Sequence, residues 1–126
     1  GLWLLADDLD KAHKICQEVP TSHGSAWHAI VHRREGDFWN SKYWWHRAAG
    51  IKWRGLADHL PESLATVPGQ ATAAVMRSLS GPAYDPSIIV DLVEANAARP
   101  TPEMTAALVI VQRVEWLALF EECWTA

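Results

Sequence analysis

Residues 101–124 read TPEMTAALVIVQRVEWLALFEECW, and this stretch decides the fold class. Thr101 and Pro102 form a start signal for a helix, because a capping side chain precedes a ring that suits the first helical turn. From Glu103 to Trp124 the segment is apolar on most faces through its middle, which is typical of a helix at the centre of a bundle. We expect its aromatic residues to be buried near the centre of the domain, on the stripe Val109, Trp116, Phe120 and Cys123.

The remaining segments also show helical periodicity, and none alternates as a strand does. The predicted helices span about 2–18, 22–35, 40–49, 53–60, 72–79 and 103–124, with a further start at Asp85-Pro86. Asn40 or Ser41 is the predicted cap of the third helix, and Pro61 is the predicted start of another turn. The sequence therefore predicts an all-α protein, an irregular helical bundle of about five to seven helices in a single domain.

Composition and charge restrict the class of partner. The net charge is −4, and acidic residues directly follow the one dense basic run, residues 32–34, so we expect no binding to nucleic acid. The longest apolar run, residues 106–111, is far shorter than the roughly 20 residues that span a bilayer. No segment resembles a secretory signal. We expect a soluble cytoplasmic protein with no membrane contact and two reduced cysteines, and we leave a homo-oligomer open.

The two halves of the chain differ in chemistry. All six histidines and six of the eight tryptophans lie in residues 1–60. Residues 61–126 contain no histidine, and only three basic residues against eight acidic ones. We interpret residues 1–50 as the helices that carry a site and residues 61–126 as scaffold.

Residues 27–45 read WHAIVHRREGDFWNSKYWW and hold most of the side chains that can do chemistry. On a helix, His28, His32 and Glu35 share one stripe beside the apolar face, so they lie at the edge of the core. His13 on the preceding helix can approach them if the two helices pack as antiparallel neighbours. The following helix adds polar and aromatic groups at Asp37, Asn40, Tyr43, Trp44 and Arg47.

Three strings resemble an uncharacterised family of small microbial proteins: DDLDxxH at 7–13, WHxIxHRREGD at 27–37 and NxxYW at 40–44. A fainter likeness covers EWxxLFxxC at 115–123. The resemblance implies no particular activity. The chain also departs from the pattern, since Ala6 stands where we expect a histidine and Ile51-Lys52 where we expect His-Pro. A ligand lost at Ala6 argues against a metal.

A divalent metal bound by His28 and His32 is one interpretation of the motif. Two imidazoles four residues apart on a helix can reach one zinc ion, as in H-E-x-x-H sites. Ala29, however, follows His28 where that motif has its glutamate. A di-iron bundle requires Glu-x-x-His on two helices, and this chain matches that pattern only approximately. The sequence alone therefore favours a site without metal and leaves the cofactor open.

An enzyme without metal uses a histidine as general base, a carboxylate to orient it and an arginine to hold an anionic substrate. The candidate catalytic residues are His28, His32, Glu35 and Asp37. The candidate ligand-binding residues are His13, Arg33, Arg34, Asn40, Tyr43 and Trp44.

Two interpretations without catalysis use the same residues. In one, the aromatic and arginine side chains bind a small ligand or a peptide. In the other, the motif is a buried polar network that locks three helices together. We adopt a small-molecule-binding helical protein, with acid/base or metal-assisted hydrolysis at the pocket. A non-catalytic interaction or structural protein is the alternative.

Overall fold

The structure, a computed structural model, describes residues 1–67 and 69–125. Over these residues the chain forms eight α-helices and one short 3-10 helix, with no strand. The α-helices are α1 (Leu2–Leu5), α2 (Leu9–Gln17), α3 (Ser22–Arg34), α4 (Phe38–Arg47), α5 (Leu56–Ser63), α6 (Gly69–Met76), α7 (Pro86–Ala98) and α8 (Pro102–Thr125). The all-α prediction is confirmed, and in the described ranges the number of helices is one above the expected five to seven.

The chain divides into two compact units, Gly1–Ile51 and Lys52–Ala126. The first unit contains α1 to α4, and the second contains α5 to α8 with the 3-10 helix Arg77–Leu79. The expectation of a single domain stays a prediction. No helix in the described parts of the chain has both the length and the apolar character that a membrane crossing requires.

Helix α3 is the centre of the first unit, and both α2 and α4 pack against it. Its residues are buried without interruption from Gly24 to Arg33. Gly24 allows a close approach of the chain, because a Cβ atom there would lie 2.1 Å from the carbonyl oxygen of Val19. On the other side, the buried Ser41 hydroxyl of α4 donates a hydrogen bond to the Ala29 carbonyl at 2.7 Å. These contacts hold three helices in one register.

Side-chain caps fix where the helices of this unit begin. The predicted continuous first helix is wrong: Asp7 takes a left-handed conformation (φ 59°), and Asp8 then caps α2 by accepting from the Lys11 N–H. Asp37, and not Asn40 or Ser41, caps α4, so the cap lies at least three residues earlier than expected. Both corrections have one physical cause, since an aspartate carboxylate satisfies the free N–H groups of a first turn.

The second unit confirms some predicted boundaries and corrects others. Asp85 caps α7 and Pro86 opens it, as predicted. Thr101 accepts a hydrogen bond from the Met104 N–H at the start of α8. Pro61 does not open a turn but lies inside α5.

The predicted buried stripe of α8 is wrong. Val109 is 46% exposed, Cys123 is exposed, and Trp116 and Phe120 are half-buried. The buried residues are Ala107, Leu108, Val111, Glu115, Ala118 and Leu119. The inward side includes Glu115, whose fully buried carboxylate accepts a hydrogen bond from the Tyr84 hydroxyl at 2.6 Å. This bond from outside the helix allows a charged residue to lie on the buried side of an apolar helix.

Candidate metal centre

Helices α2 and α3 bring three histidines together in the first unit. His13 lies on α2, and His28 and His32 lie one turn apart on α3. The Nε2 atoms of His13 and His28 are 3.0 Å apart. One nitrogen from each of the three rings lies within 4.8 Å of the others. The expected approach of His13 to the α3 histidines is therefore present in the structure.

A carboxylate just beyond the end of α3 joins two of these rings. Glu35 Oε1 lies 3.2 Å from His13 Nδ1, and Glu35 Oε2 lies 3.5 Å from His32 Nδ1. Because Nδ1 of each ring faces a carboxylate, Nε2 is the nitrogen left to meet the other histidines. Carboxylates placed in this way on the far nitrogen of a histidine are typical of the outer shell of metal sites, where they fix the ring and its tautomer.

Asp37 adds a second carboxylate, and it is itself held in place. Its Oδ2 lies 3.5 Å from His32 Nδ1 and accepts a hydrogen bond from Asn40 Nδ2 at 2.6 Å. The bond from Asn40 is the main reason that the pKa of Asp37 lies below its usual value. The Asp37 side chain is therefore charged at neutral pH and oriented by the first turn of α4.

Aromatic packing closes one side of the cluster. The Trp44 ring stacks on His28 with the ring centres 4.0 Å apart, and His28 in turn stacks on His32 at 4.8 Å. His28 is only 4% exposed as a result. The opposite end is more open, since the side chains of His13 and Glu35 are 24% and 30% exposed. The cluster is therefore most exposed to solvent at His13 and Glu35.

Burial keeps the α3 histidines uncharged. It lowers the pKa of His28 to about 4, with help from the neighbouring charges of His32 and His13. Burial and His13 also lower the pKa of His32, although Asp37 and Glu35 oppose that shift. Within the described residues, Nδ1 of His28 is buried without a hydrogen-bond partner, and the buried Nδ1 of His32 has the two carboxylate oxygens at 3.5 Å. Neutral imidazole is the form in which histidine coordinates a cation.

The two predicted arginines have other contacts. Arg34 donates to the Leu4 carbonyl at 2.8 Å and pairs with Asp7, which holds the N-terminal segment against α3. Arg33 is buried, with its guanidinium over the Trp45 ring. Neither contact involves the histidines. Their part in ligand binding stays a prediction.

The remaining predicted residues extend from the cluster along α4. Tyr43 meets Trp44 edge to face with ring centres 5.3 Å apart, and it is 45% exposed. Trp39 and Arg47 lie on either side of Tyr43. Arg47 was expected beside the site on this helix, whereas Trp39 was not. Its position four residues before Tyr43 is the signal that could have found it.

Comparison of the chain with protein families, with curated proteins and with solved structures gives no match. The chemistry of this site is therefore argued from its geometry.

Proposed function

We propose that the chain binds a divalent transition metal through His13, His28 and His32 and uses it in the hydrolysis of a small molecule. The observation that supports this most is the convergence of three imidazole nitrogens within 4.8 Å, two of them on rings that Glu35 contacts from behind. Helical spacing in the sequence grouped His28, His32 and Glu35 but lacked the glutamate of an H-E-x-x-H motif. In the fold, His13 lies beside them and Glu35 contacts two of the three rings.

A cation explains the contacts better than a proton does. Two nitrogens 3.0 Å apart repel each other unless a proton or a cation lies between their lone pairs. A proton between these two atoms serves only the pair His13 and His28, whereas a metal ion can take a lone pair from each of the three rings. A set of three nitrogens suits zinc, copper, nickel or iron better than magnesium or calcium, which prefer oxygen.

The burial of His28 argues against its role as a general base without metal. A base must come within hydrogen-bond distance of the substrate proton, and this ring is 4% exposed between Trp44 and His32. The same packing suits a metal ligand, which has to present only one nitrogen to the ion. Glu35 is then a positioning residue, because its two oxygens face His13 and His32.

The number of ligands points to catalysis and not to a purely structural ion. Structural zinc has four protein ligands, whereas catalytic zinc has three and keeps a position for water or substrate. A zinc ion held by these three histidines would lower the pKa of its bound water to about 7 and so supply hydroxide for hydrolysis at neutral pH. The exposed side of the cluster, at His13, is where water or substrate would approach.

Metal analysis of protein purified without a histidine tag tests the proposal. We expect close to one equivalent of zinc or another transition metal by elemental analysis, and one cobalt(II) per chain with visible absorption of a low-coordinate site. His28→Gln should remove the metal, whereas His46→Gln, at an exposed position of α4, should keep it. Less than about a tenth of an equivalent, with no uptake of added zinc or cobalt, would overturn the proposal, because tight zinc sites survive purification.

The alternative is that the histidines and carboxylates only lock three helices together. The observation that favours it is that the same contacts join α2, α3 and the turn before α4. In that event His32→Gln unfolds at a markedly lower temperature and the wild-type protein takes up no metal. The two measurements separate the alternatives.

A further inference from the structure

Three side chains on one side of α4 form an exposed surface beside the histidine cluster. The rings of Trp39 and Tyr43, one helical turn apart, lie nearly parallel, with 12° between their planes and 6.1 Å between their centres. They are 75% and 45% exposed. Arg47 follows one turn after Tyr43. We call Trp39, Tyr43 and Arg47 the aromatic shelf.

The shelf is continuous with the proposed metal ligands. Tyr43 contacts the Trp44 ring edge to face, and Trp44 stacks directly on His28. One ring therefore lies between the shelf and the nearest histidine. Trp44 separates the shelf from the histidine cluster on the side that this ring closes.

The charge at the end of the shelf indicates what it binds. The Arg47 guanidinium carbon lies 5.8 Å from the Tyr43 ring centre and 5.7 Å from that of Trp44, and its Nη1 lies 3.5 Å from the Tyr43 hydroxyl. The residue is exposed. A guanidinium positioned beside two aromatic rings presents a fork of N–H donors, which suits a carboxylate or phosphate. Two large exposed rings beside it suit a second planar ring.

We propose that the aromatic shelf binds small planar aromatic molecules with a carboxylate or phosphate group, and that the substrate belongs to this class. The ligand ring stacks on Trp39 and Tyr43, and its anionic group meets Arg47. This assignment of a substrate class rests on the proposed function, but the shelf can be tested without the metal. An uncharged ligand would leave Arg47 without an anionic partner, and a saturated ligand would leave the two rings without a planar partner.

Titration with 2-naphthoate, followed by the indole N–H signals of the tryptophans in ¹⁵N-edited NMR spectra, tests the inference. The indole N–H signal that is missing from the spectrum of Trp39→Leu is that of Trp39. We expect 2-naphthoate to shift the Trp39 and Trp44 signals and to leave Trp124, which is 82% exposed on α8, unaffected. Arg47→Gln should weaken binding about tenfold and Trp39→Leu about three- to tenfold. Arg113→Gln, at an exposed position of α8, is the matched control for lost positive charge.

Related probes decide which feature of the ligand matters. Decahydro-2-naphthoate keeps the charge without the planar ring, 2-naphthalenemethanol keeps the ring without the charge, and glucuronate is an anionic sugar. If any of these three shifts the Trp39 signal as strongly as 2-naphthoate, or if no probe shifts it, the proposed substrate class is wrong.

Running the titration on both zinc-loaded and metal-free protein separates this inference from the proposed function. Zinc uptake without naphthoate binding would overturn the substrate class and keep the metal. Naphthoate binding by a protein that takes up no zinc would overturn the metal and keep the shelf as a ligand surface.

Discussion

Replacing Glu35 by glutamine should weaken metal binding while barely changing the stability of the metal-free fold. The carboxylate contacts His13 Nδ1 at 3.2 Å and His32 Nδ1 at 3.5 Å, and glutamine retains one acceptor oxygen in nearly the same shape. That oxygen can accept from one histidine ring, so the second ring loses its hydrogen-bond partner. Both rings also lose the nearby negative charge that makes them better metal ligands. Lost outer-shell partners typically lower metal affinity by 10- to 100-fold, about 1.4–2.7 kcal/mol.

The expected effect on folding is much smaller. The Glu35 side chain is 30% exposed, and ion pairs that solvent reaches contribute about 0–1 kcal/mol. For a chain of this size that corresponds to a few degrees in melting temperature. His32→Gln should abolish metal binding at the site. Because glutamine is close to histidine in size, it should change the melting temperature of the metal-free protein little.

Zinc affinity is measured by competition with a chromophoric chelator, and stability by thermal unfolding of the metal-free protein. Glu18→Gln, at the exposed end of α2, is the matched control and should change neither quantity. Two results would refute the reasoning. Unchanged zinc affinity in Glu35→Gln would show that the carboxylate does not support the ligands, and a melting temperature more than about 8 °C lower would show that the residue mainly locks the helices.

Three further predictions concern folding. Leu119→Ala should cost about 2–5 kcal/mol in denaturant unfolding, because the side chain is fully buried, whereas Leu117→Ala, at a position 53% exposed, should cost less than about 0.5 kcal/mol. Ser41→Ala leaves the Ala29 carbonyl without its 2.7 Å bond and should destabilise the first unit by about 1–3 kcal/mol, and equal unfolding midpoints would contradict this. The free energy of unfolding of the metal-free protein should fall by on the order of 2–3 kcal/mol as the pH falls from 6.5 to about 4, because His28 becomes protonated in the unfolded chain before it does in the folded one. In His28→Gln, this free energy should depend less steeply on pH.

Local signals in the sequence predicted the helix type and several helix starts. Asp85-Pro86 and Thr101-Pro102 place their caps within four residues of the groups that they satisfy, so the sequence contains the whole interaction. The inward side of α8 is different, because the helix is apolar nearly all round and its periodicity prefers no side. The burial of Glu115 on the inward side depends on Tyr84, which contacts it from thirty-one residues away.

The difference between local signals and long-range contacts also applies to the site. His28, His32 and Glu35 lie on one helix and the turn after it, so helical spacing alone was enough to group them. The contact between His13 and Glu35 spans twenty-two residues and depends on how α2 packs on α3. The contact of Arg34 with Leu4 spans thirty residues and leaves no local signal in the sequence. Arg34 was therefore predicted to bind a ligand, whereas its contacts in the structure hold α1.

The turn between α3 and α4 links the fold to the site. Its three residues are Glu35, Gly36 and Asp37, and Gly36 takes a left-handed conformation (φ 79°) that ends one helix and starts the next. The residues on either side of that glycine are the two carboxylates that contact the histidines. Asp37 also caps α4, so the charge that orients His32 is held by the same hydrogen bonds that begin the helix carrying Trp44. The residues that turn the chain are thus those that orient the rings, and the geometry of the site follows from the local structure of one turn.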